Sequence, residues 1–276
     1  MIIELKSAAE LRKMRRAGLV VAQGLDAMLA AVRPGVTTAE VDAVGREVLA
    51  RNNARSSFLG YGEEYGSPFP GVACISTNNE LVHGIPGERV LEPGDVVSID
   101  FGAIVEGWHG DAARTVIVGA EDGHADPADE ALIAATREAF WAGVLAMRDG
   151  GRIGDISKAI EGYVKGLRAG YGTLREYTGH GIGSEMHMEP DVPNWHRRRP
   201  TPRLSVGMAL AIEPMLTRGT HQTLELDDDW TVVSRDGSNG SHWENTVAIT
   251  EHGLWVLTEH DGGASRLGEL FGPLSD

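Results

Sequence analysis

One cysteine in 276 residues, Cys74, closes off two architectures. A disulfide framework needs pairs and a thiolate zinc site needs several cysteines, and a lone thiol fits a reducing compartment. Positive charge is also scarce, with 25 Lys and Arg against 40 Asp and Glu and a formal net charge of −15. A general nucleic-acid binder carries a basic stripe, so this balance argues against one. Long apolar runs are missing too. The first residues, Met1-Ile2-Ile3-Glu4-Leu5-Lys6, turn charged before any signal core forms. The apolar stretch from Ala17 to Val32 is broken by Gln23 and Asp26 and is too short to span a bilayer. The expected location is the cytoplasm, without membrane contact. Gly (36) and Pro (12) are scattered and form no low-complexity tract. A chain of this length buries about 75% of its unfolded surface and needs no covalent staples.

The pattern that remains alternates helices with strands. Ser7 is a candidate N-cap with Glu10 three residues on, and Leu11, Met14, Leu19, Ala22, Leu25, Met28 and Leu29 recur near helical spacing up to Pro34-Gly35. Thr37 or Thr38 caps a second helix to about Asn52. The period then changes. Cys74-Ile75-Ser76, Val96 to Ile99 and Thr115 to Val118 read as strands, with Gly102 to Gly110 as a hairpin-type connection. Helices return at Ala131 to Met147 and Ile156 to Leu167, followed by strands at Ala209 to Ile212, Trp230 to Val233 and Thr246 to Ile249.

This order, two helices then strands, occurs twice. Gly94-Asp95-Val96-Val97-Ser98-Ile99-Asp100 is echoed by Gly207-Met208-Ala209-Leu210-Ala211-Ile212-Glu213, and Gly35 by Gly151, at offsets of 113 and 116 residues. Two similar halves, about 1–125 and 126–260 with a tail at 260–276, predict an α+β fold in a single domain, with a central antiparallel sheet and outer helices. A chance match of short Gly-plus-apolar strings is the competing explanation.

The repeat brings two carboxylates to equivalent places. Asp100 and Glu213 each end an apolar strand, where an unpaired charge is costly unless a metal or a partner compensates it. Asp111 follows Asp100 by 11 positions, Glu244 leads into the Thr246 strand, and His180 stands between Gly179 and Gly181, where small neighbours leave its ring easy to approach. Four carboxylates and one imidazole suit divalent Mn, Fe, Co or Zn, and the His disfavours Ca. Singly, each also reads as a turn or cap residue. Asp227-Asp228-Asp229 reads as a solvated loop. His83 before Gly84-Ile85-Pro86 and His187 in Met186-His187-Met188 read equally as structural loop residues.

The ordered strings Val82-His83-Gly84-Ile85-Pro86, Ser98-Ile99-Asp100, Gly110-Asp111-Ala112-Ala113-Arg114-Thr115, Gly179-His180-Gly181-Ile182-Gly183, Ala211-Ile212-Glu213-Pro214-Met215 and Trp243-Glu244-Asn245-Thr246 resemble the methionine aminopeptidases, type I branch of the pita-bread metallopeptidases. The resemblance runs from the first helix to about Leu257 and implies the pita-bread fold and two divalent metal ions. Asp100 would hold one ion, His180 and Glu213 the other, and Asp111 and Glu244 would bridge them. His83 and His187 would contact the substrate and stabilise the tetrahedral intermediate, and Glu213 would also shuttle a proton. Tyr61, Phe69, Cys74 and Trp230 would line the side-chain pocket, for which ordinary core packing is the alternative. The implied activity is hydrolytic removal of the initiator methionine from nascent polypeptides with small second residues, by a monomer.

Several positions depart from the family pattern. The segment Gly62 to Pro70 is a few residues longer, Met186 replaces an aromatic, and Asn245 follows Glu244 in place of His. The basic run His196-Arg197-Arg198-Arg199 is either a solvated loop or a transient ribosome contact, and residues past Glu259 form a tail without assigned role. Two rival readings stand beside the aminopeptidase: a proline-directed aminopeptidase or dipeptidase of the same fold, and a metal-free binding or scaffold homologue.

Overall fold

Two reciprocal capping boxes start the first two helices. The Ser7 hydroxyl accepts from the Glu10 backbone N–H (3.3 Å) while the Glu10 carboxylate accepts from Ser7 N–H (2.7 Å), and Thr37 and Glu40 repeat the exchange. The computed structural model describes residues 3–275. In chain order it contains α1 (Ala8–Ala31), α2 (Thr38–Arg51), β1 (Arg55–Ser56), β2 (Ala73–Thr77), β3 (Glu80–Val82), β4 (Val96–Val105), β5 (Trp108–Ile117), α3 (Pro127–Leu145) and α4 (Ile153–Gly166). Then follow β6 (Gly172–Thr173), β7 (Gly179–Gly181), β8 (Met188–Val192), β9 (Ala209–Ile212), β10 (Met215–Thr217), β11 (Thr223–Glu225), β12 (Val232–Ser234), β13 (Gly240–His242), β14 (Asn245–Thr250), β15 (Gly253–Val256) and α5 (Ala264–Leu267).

Several boundaries differ from the sequence reading, each for a local reason. Helix α3 starts four residues earlier than Ala131, because Asp126 caps it (2.9 Å to Ala128 N–H) and Pro127 presets the first helical φ. Helix α4 starts at Ile153 because the Asp155 carboxylate accepts from Arg152 N–H at 2.8 Å. Gly102 to Gly110 is not a connection. Strands β4 and β5 run in register through Gly102↔Asp111 and Ala103↔Gly110 to a two-residue turn at Glu106-Gly107, both with positive φ. Gly102 and Gly110 lie inside strands because Ser57 and the α1 backbone press against them. Trp230 and Thr231 precede β12, in a turn where Asp228 accepts both of their N–H groups. The tail closes over the body: Gly272 N–H donates to Leu254 O and Leu267 is buried.

The central antiparallel structure consists of two sheets. In the first, β4 pairs with β5 on one side and with β1 and β2 on the other; the second has the order β15-β14-β9-β7-β8. They meet where Ala113 and Glu244 exchange backbone hydrogen bonds (3.0 and 3.4 Å) and Thr246 Oγ1 accepts from Asp111 N–H and donates to Asp111 O. β2–β4–β5 on one side of this seam has the same arrangement as β7–β9–β14 on the other. Helices α1 and α2 cover the first sheet through Val21, Leu25, Val41, Ile99 and Phe101, and α3 and α4 cover the second through Phe140, Ile156, Leu210 and Ile212. Buried Asp42 anchors the start of β2, accepting from Val72 and Ala73 N–H at 2.7 and 3.0 Å. Among the described residues no helix is long and apolar enough to cross a membrane.

Candidate metal centre and substrate cavity

The seam between the sheets sets the carboxylates face to face. Asp100 lies mid-strand on β4, Asp111 on its neighbour β5, Glu213 just past β9 and Glu244 just before β14. All four line one cavity of about 280 Å³ with His83, His180 and His187. Burial raises the pKa of each carboxyl, Asp100 to about 7, and repulsion among them adds to the effect at Asp111, Glu213 and Glu244. Buried Asp100 Oδ1, Asp111 Oδ1 and Glu244 Oε1 have no hydrogen-bond partner. Orphaned oxygens are expensive, and so many clustered negative groups call for cations. The donors of Asp111, His180 and Glu244 lie within 4.8 Å of one another, as do those of Asp100, His242 and Glu244. The residues present therefore fit divalent ions.

Each imidazole is aimed by its local backbone. His180 Nδ1 lies 2.9 Å from the Gly181 carbonyl, which only accepts, so Nδ1 carries the proton and Nε2 turns its lone pair toward Glu213 Oε1 at 3.5 Å. The glycines around it serve close packing rather than access. A Cβ at Gly179 would stand 2.4 Å from Ala211 O, and one at Gly181 2.3 Å from Glu189 O. His83 adopts φ 60, held by the Ile75 N–H to Gly84 O bond (2.8 Å) on one flank, and its ring meets Tyr177 and Trp230 edge-on. Burial lowers the pKa of His83 to about 4 and of His180 to about 3, so both are neutral at pH 7. His187 sits nearer the mouth, its ring 4.4 Å from that of His180 and its Nδ1 2.7 Å from the Tyr61 hydroxyl.

Beside this polar floor is an apolar socket of Phe58, Phe69, Cys74 and Met186, flanked by Ile85 and Trp230. Phe69 is buried and meets Trp230 edge-on at 5.2 Å. Met186, 7% exposed, completes the socket. Burial, then the nearby carboxylates, push the Cys74 thiol pKa well up, so it stays protonated. Tyr61, 40% exposed, stands at the rim. The Asn245 side chain turns to other partners: its Oδ1 accepts from Arg114 and from Thr258, and its Nδ2 donates to Glu259.

Four lining residues escape the sequence reading: Phe58, Glu176, Tyr177 and His242. Phe58 and Tyr177 lie in irregular segments without a periodic signal. His242 does carry one, since it precedes Glu244 by two, and alternate residues of an extended chain share a face.

The model of metallopeptidase family M24 matches residues 12–251. The chain is 45% identical over 260 residues to a methionine aminopeptidase of Clostridium acetobutylicum, covering 93% of this chain and 99% of that one. It is 47% identical over 262 residues to methionine aminopeptidase 1 of Mycobacterium tuberculosis, covering 93% and 95%. Its structure is similar to the crystal structure of methionine aminopeptidase from Thermotoga maritima, with TM-score 0.88 and 36% identity over 94% of this chain and all of that one. By sequence and by pita-bread fold, the chain belongs to metallopeptidase family M24.

Proposed function

We propose that this protein is a methionine aminopeptidase, which hydrolyses the first peptide bond of polypeptides that begin with methionine. One observation carries the reading: the socket of Phe69, Cys74, Met186 and Trp230 opens directly onto the four-carboxylate floor within one cavity. An unbranched thioether fits among aromatic edges and a thiol, and Met186 adds a soft contact. A methionine side chain seated in the socket would bring the amino end and the first peptide bond of the substrate beside the carboxylates and the ions they would hold.

Asp100, Asp111, His180, Glu213 and Glu244 hold a pair of divalent ions, drawn from Co, Mn, Fe and Zn, in this reading. Such ions polarise a carbonyl and supply hydroxide at neutral pH. His83 and His187, both uncharged, donate hydrogen bonds to the oxygen on which charge develops. The Tyr61 hydroxyl donates to His187 Nδ1, leaving Nε2–H to point at the substrate. Glu213, whose carboxyl burial makes basic, takes the proton of the attacking water and passes it to the leaving amine. The rings of Tyr61 and His187 stand where the second residue leaves the cavity, which favours a small side chain there.

The chain acts on nascent polypeptides in the cytoplasm as a monomeric catalytic unit in this proposal, its two halves meeting at the Ala113–Glu244 seam. The reducing cytoplasm accords with its one buried thiol. The basic run at 196–199, where Arg197 lies over the Trp195 ring at 5.2 Å, is the surface offered for a transient ribosome contact. The test compares Met-Gly-Met-Met, Ala-Gly-Met-Met and Gly-Pro with metal-stripped and Co- or Mn-loaded protein. Metal-dependent release of methionine alone supports the reading. Cleavage of Gly-Pro would move the protein to the proline-directed branch, and no cleavage with any metal would leave a scaffold.

A further inference from the structure

We infer that His242 is a metal ligand, so that each ion of the pair has an imidazole of its own: His180 on one and His242 on the other. The inference rests on the dinuclear reading above and adds a residue to it.

His242 ends β13 and is 1% exposed. Its backbone is pinned to the first sheet. His242 N–H donates to Thr115 Oγ1 at 2.9 Å, and that hydroxyl donates back to His242 O at 2.8 Å. The side chain therefore projects from a fixed base, and its Nε2 is buried without a hydrogen-bond partner. The nearest acceptors, Glu213 Oε2 and Glu244 Oε2, are both 3.7 Å away. That is beyond hydrogen-bond reach. It is the separation of donors sharing an ion, since ligand atoms about 2.0–2.2 Å from a metal stand roughly 3–4 Å apart.

The arrangement mirrors that of His180. Glu213 Oε1 faces His180 Nε2 at 3.5 Å, and its other oxygen faces His242 Nε2 at 3.7 Å. Glu244 belongs to both donor groups, with Asp111 and His180 in one and with Asp100 and His242 in the other. His242 Nε2 is unpartnered in the second group, beside Asp100 and Glu244 carboxyls that each carry an unpartnered oxygen, and a cation held there would give this nitrogen a partner. A nitrogen on each ion moves the site from a hard, oxygen-dominated set toward Fe, Co and Zn and away from Mn.

The test loads metal-stripped full-length protein with two equivalents of Co(II) and counts imidazoles per ion by X-ray absorption fine structure. The wild type is expected to show about one imidazole per Co, and His242→Gln and His180→Gln each about half that, with the metal-free melting temperature checked for each variant. A His242→Gln protein that takes up a single Co while melting normally supports the inference equally. A wild-type count near one half with two Co bound overturns the inference and leaves the dinuclear reading standing, whether or not the variants fold. Failure of the wild type to bind Co overturns both.

Discussion

Arg114 holds Glu244 by its backbone: the guanidinium donates to the Glu244 carbonyl oxygen at 2.6 Å. The same group donates to Asn245 Oδ1 and the Glu259 carboxylate at 2.9 and 2.7 Å and lies 4.6 Å over the Trp243 ring. Arg114 sits on β5, three residues beyond Asp111, so one side chain ties together the segments carrying both proposed bridging carboxylates. Arg114→Met keeps the bulk and removes the donors. It is expected to cost about 3 kcal/mol in denaturant unfolding, as when one partner of a buried pair is lost. Metal affinity, read by titration calorimetry, is expected to fall about 10–100-fold. An unchanged affinity would show that Arg114 does not position Glu244.

Metal binding is linked to pH with a definite sign. Burial raises Asp100 from 3.8 to about 7 in the metal-free fold, and Asp111, Glu213 and Glu244 move the same way. Between about pH 4 and 7 these groups bind more protons folded than unfolded, so their contribution to metal-free stability is lost as pH rises. Ions require the deprotonated oxygens and become more effective over the same window. The melting-temperature gain on adding Mn is expected to grow from pH 5.5 to pH 8. A constant gain would mean that protons and metal do not compete at these carboxylates.

His83→Ala is expected to lower kcat by about 10²–10³ while metal content stays that of the wild type, the cost of losing an oxyanion-type donor. Its ring meets Tyr177 and Trp230 edge-on inside the cavity, so the loss is confined there. An unchanged kcat would remove His83 from substrate contact.

The socket predicts a change in binding more than in turnover. Trp230→Ala removes the wall that Phe69 meets edge-on at 5.2 Å and is expected to raise KM for a methionyl peptide about tenfold. Trp230→Phe retains part of that wall and should fall between. Equal kinetics for all three would place the methionine side chain elsewhere.

The fold class is legible because its signals are local. Ser7–Glu10 and Thr37–Glu40 write two helix starts in four residues each, and the β-branched runs at 96–99 and 246–249 write strands. Glycine misleads where its use is tertiary: Gly102 and Gly110 resemble loop signals but are in strands that neighbours approach closely. The candidate ligands Asp100, Asp111, His180, Glu213 and Glu244 are legible as polar residues in or beside apolar strands, although Asp100 lies mid-strand because β4 continues to Val105, and the structure gathers them in one cavity. His242 carries only its spacing of two to Glu244 as a signal, and its approach to Glu213 arises from the pairing of β13 with β10 (Met215↔His242), a contact across the chain. Phe58 is likewise placed by the neighbouring Ser57, whose N–H donates to Gly102 O at 3.1 Å.

The most direct test of the account follows methionine release from Met-Gly-Met-Met as Co(II) is titrated into metal-stripped wild type and Asp111→Asn. Activity that appears with added metal in the wild type, and at no metal concentration in Asp111→Asn, is the predicted result. Full activity in stripped protein, or equal activity in the variant, would contradict a metal-dependent peptidase built on these carboxylates.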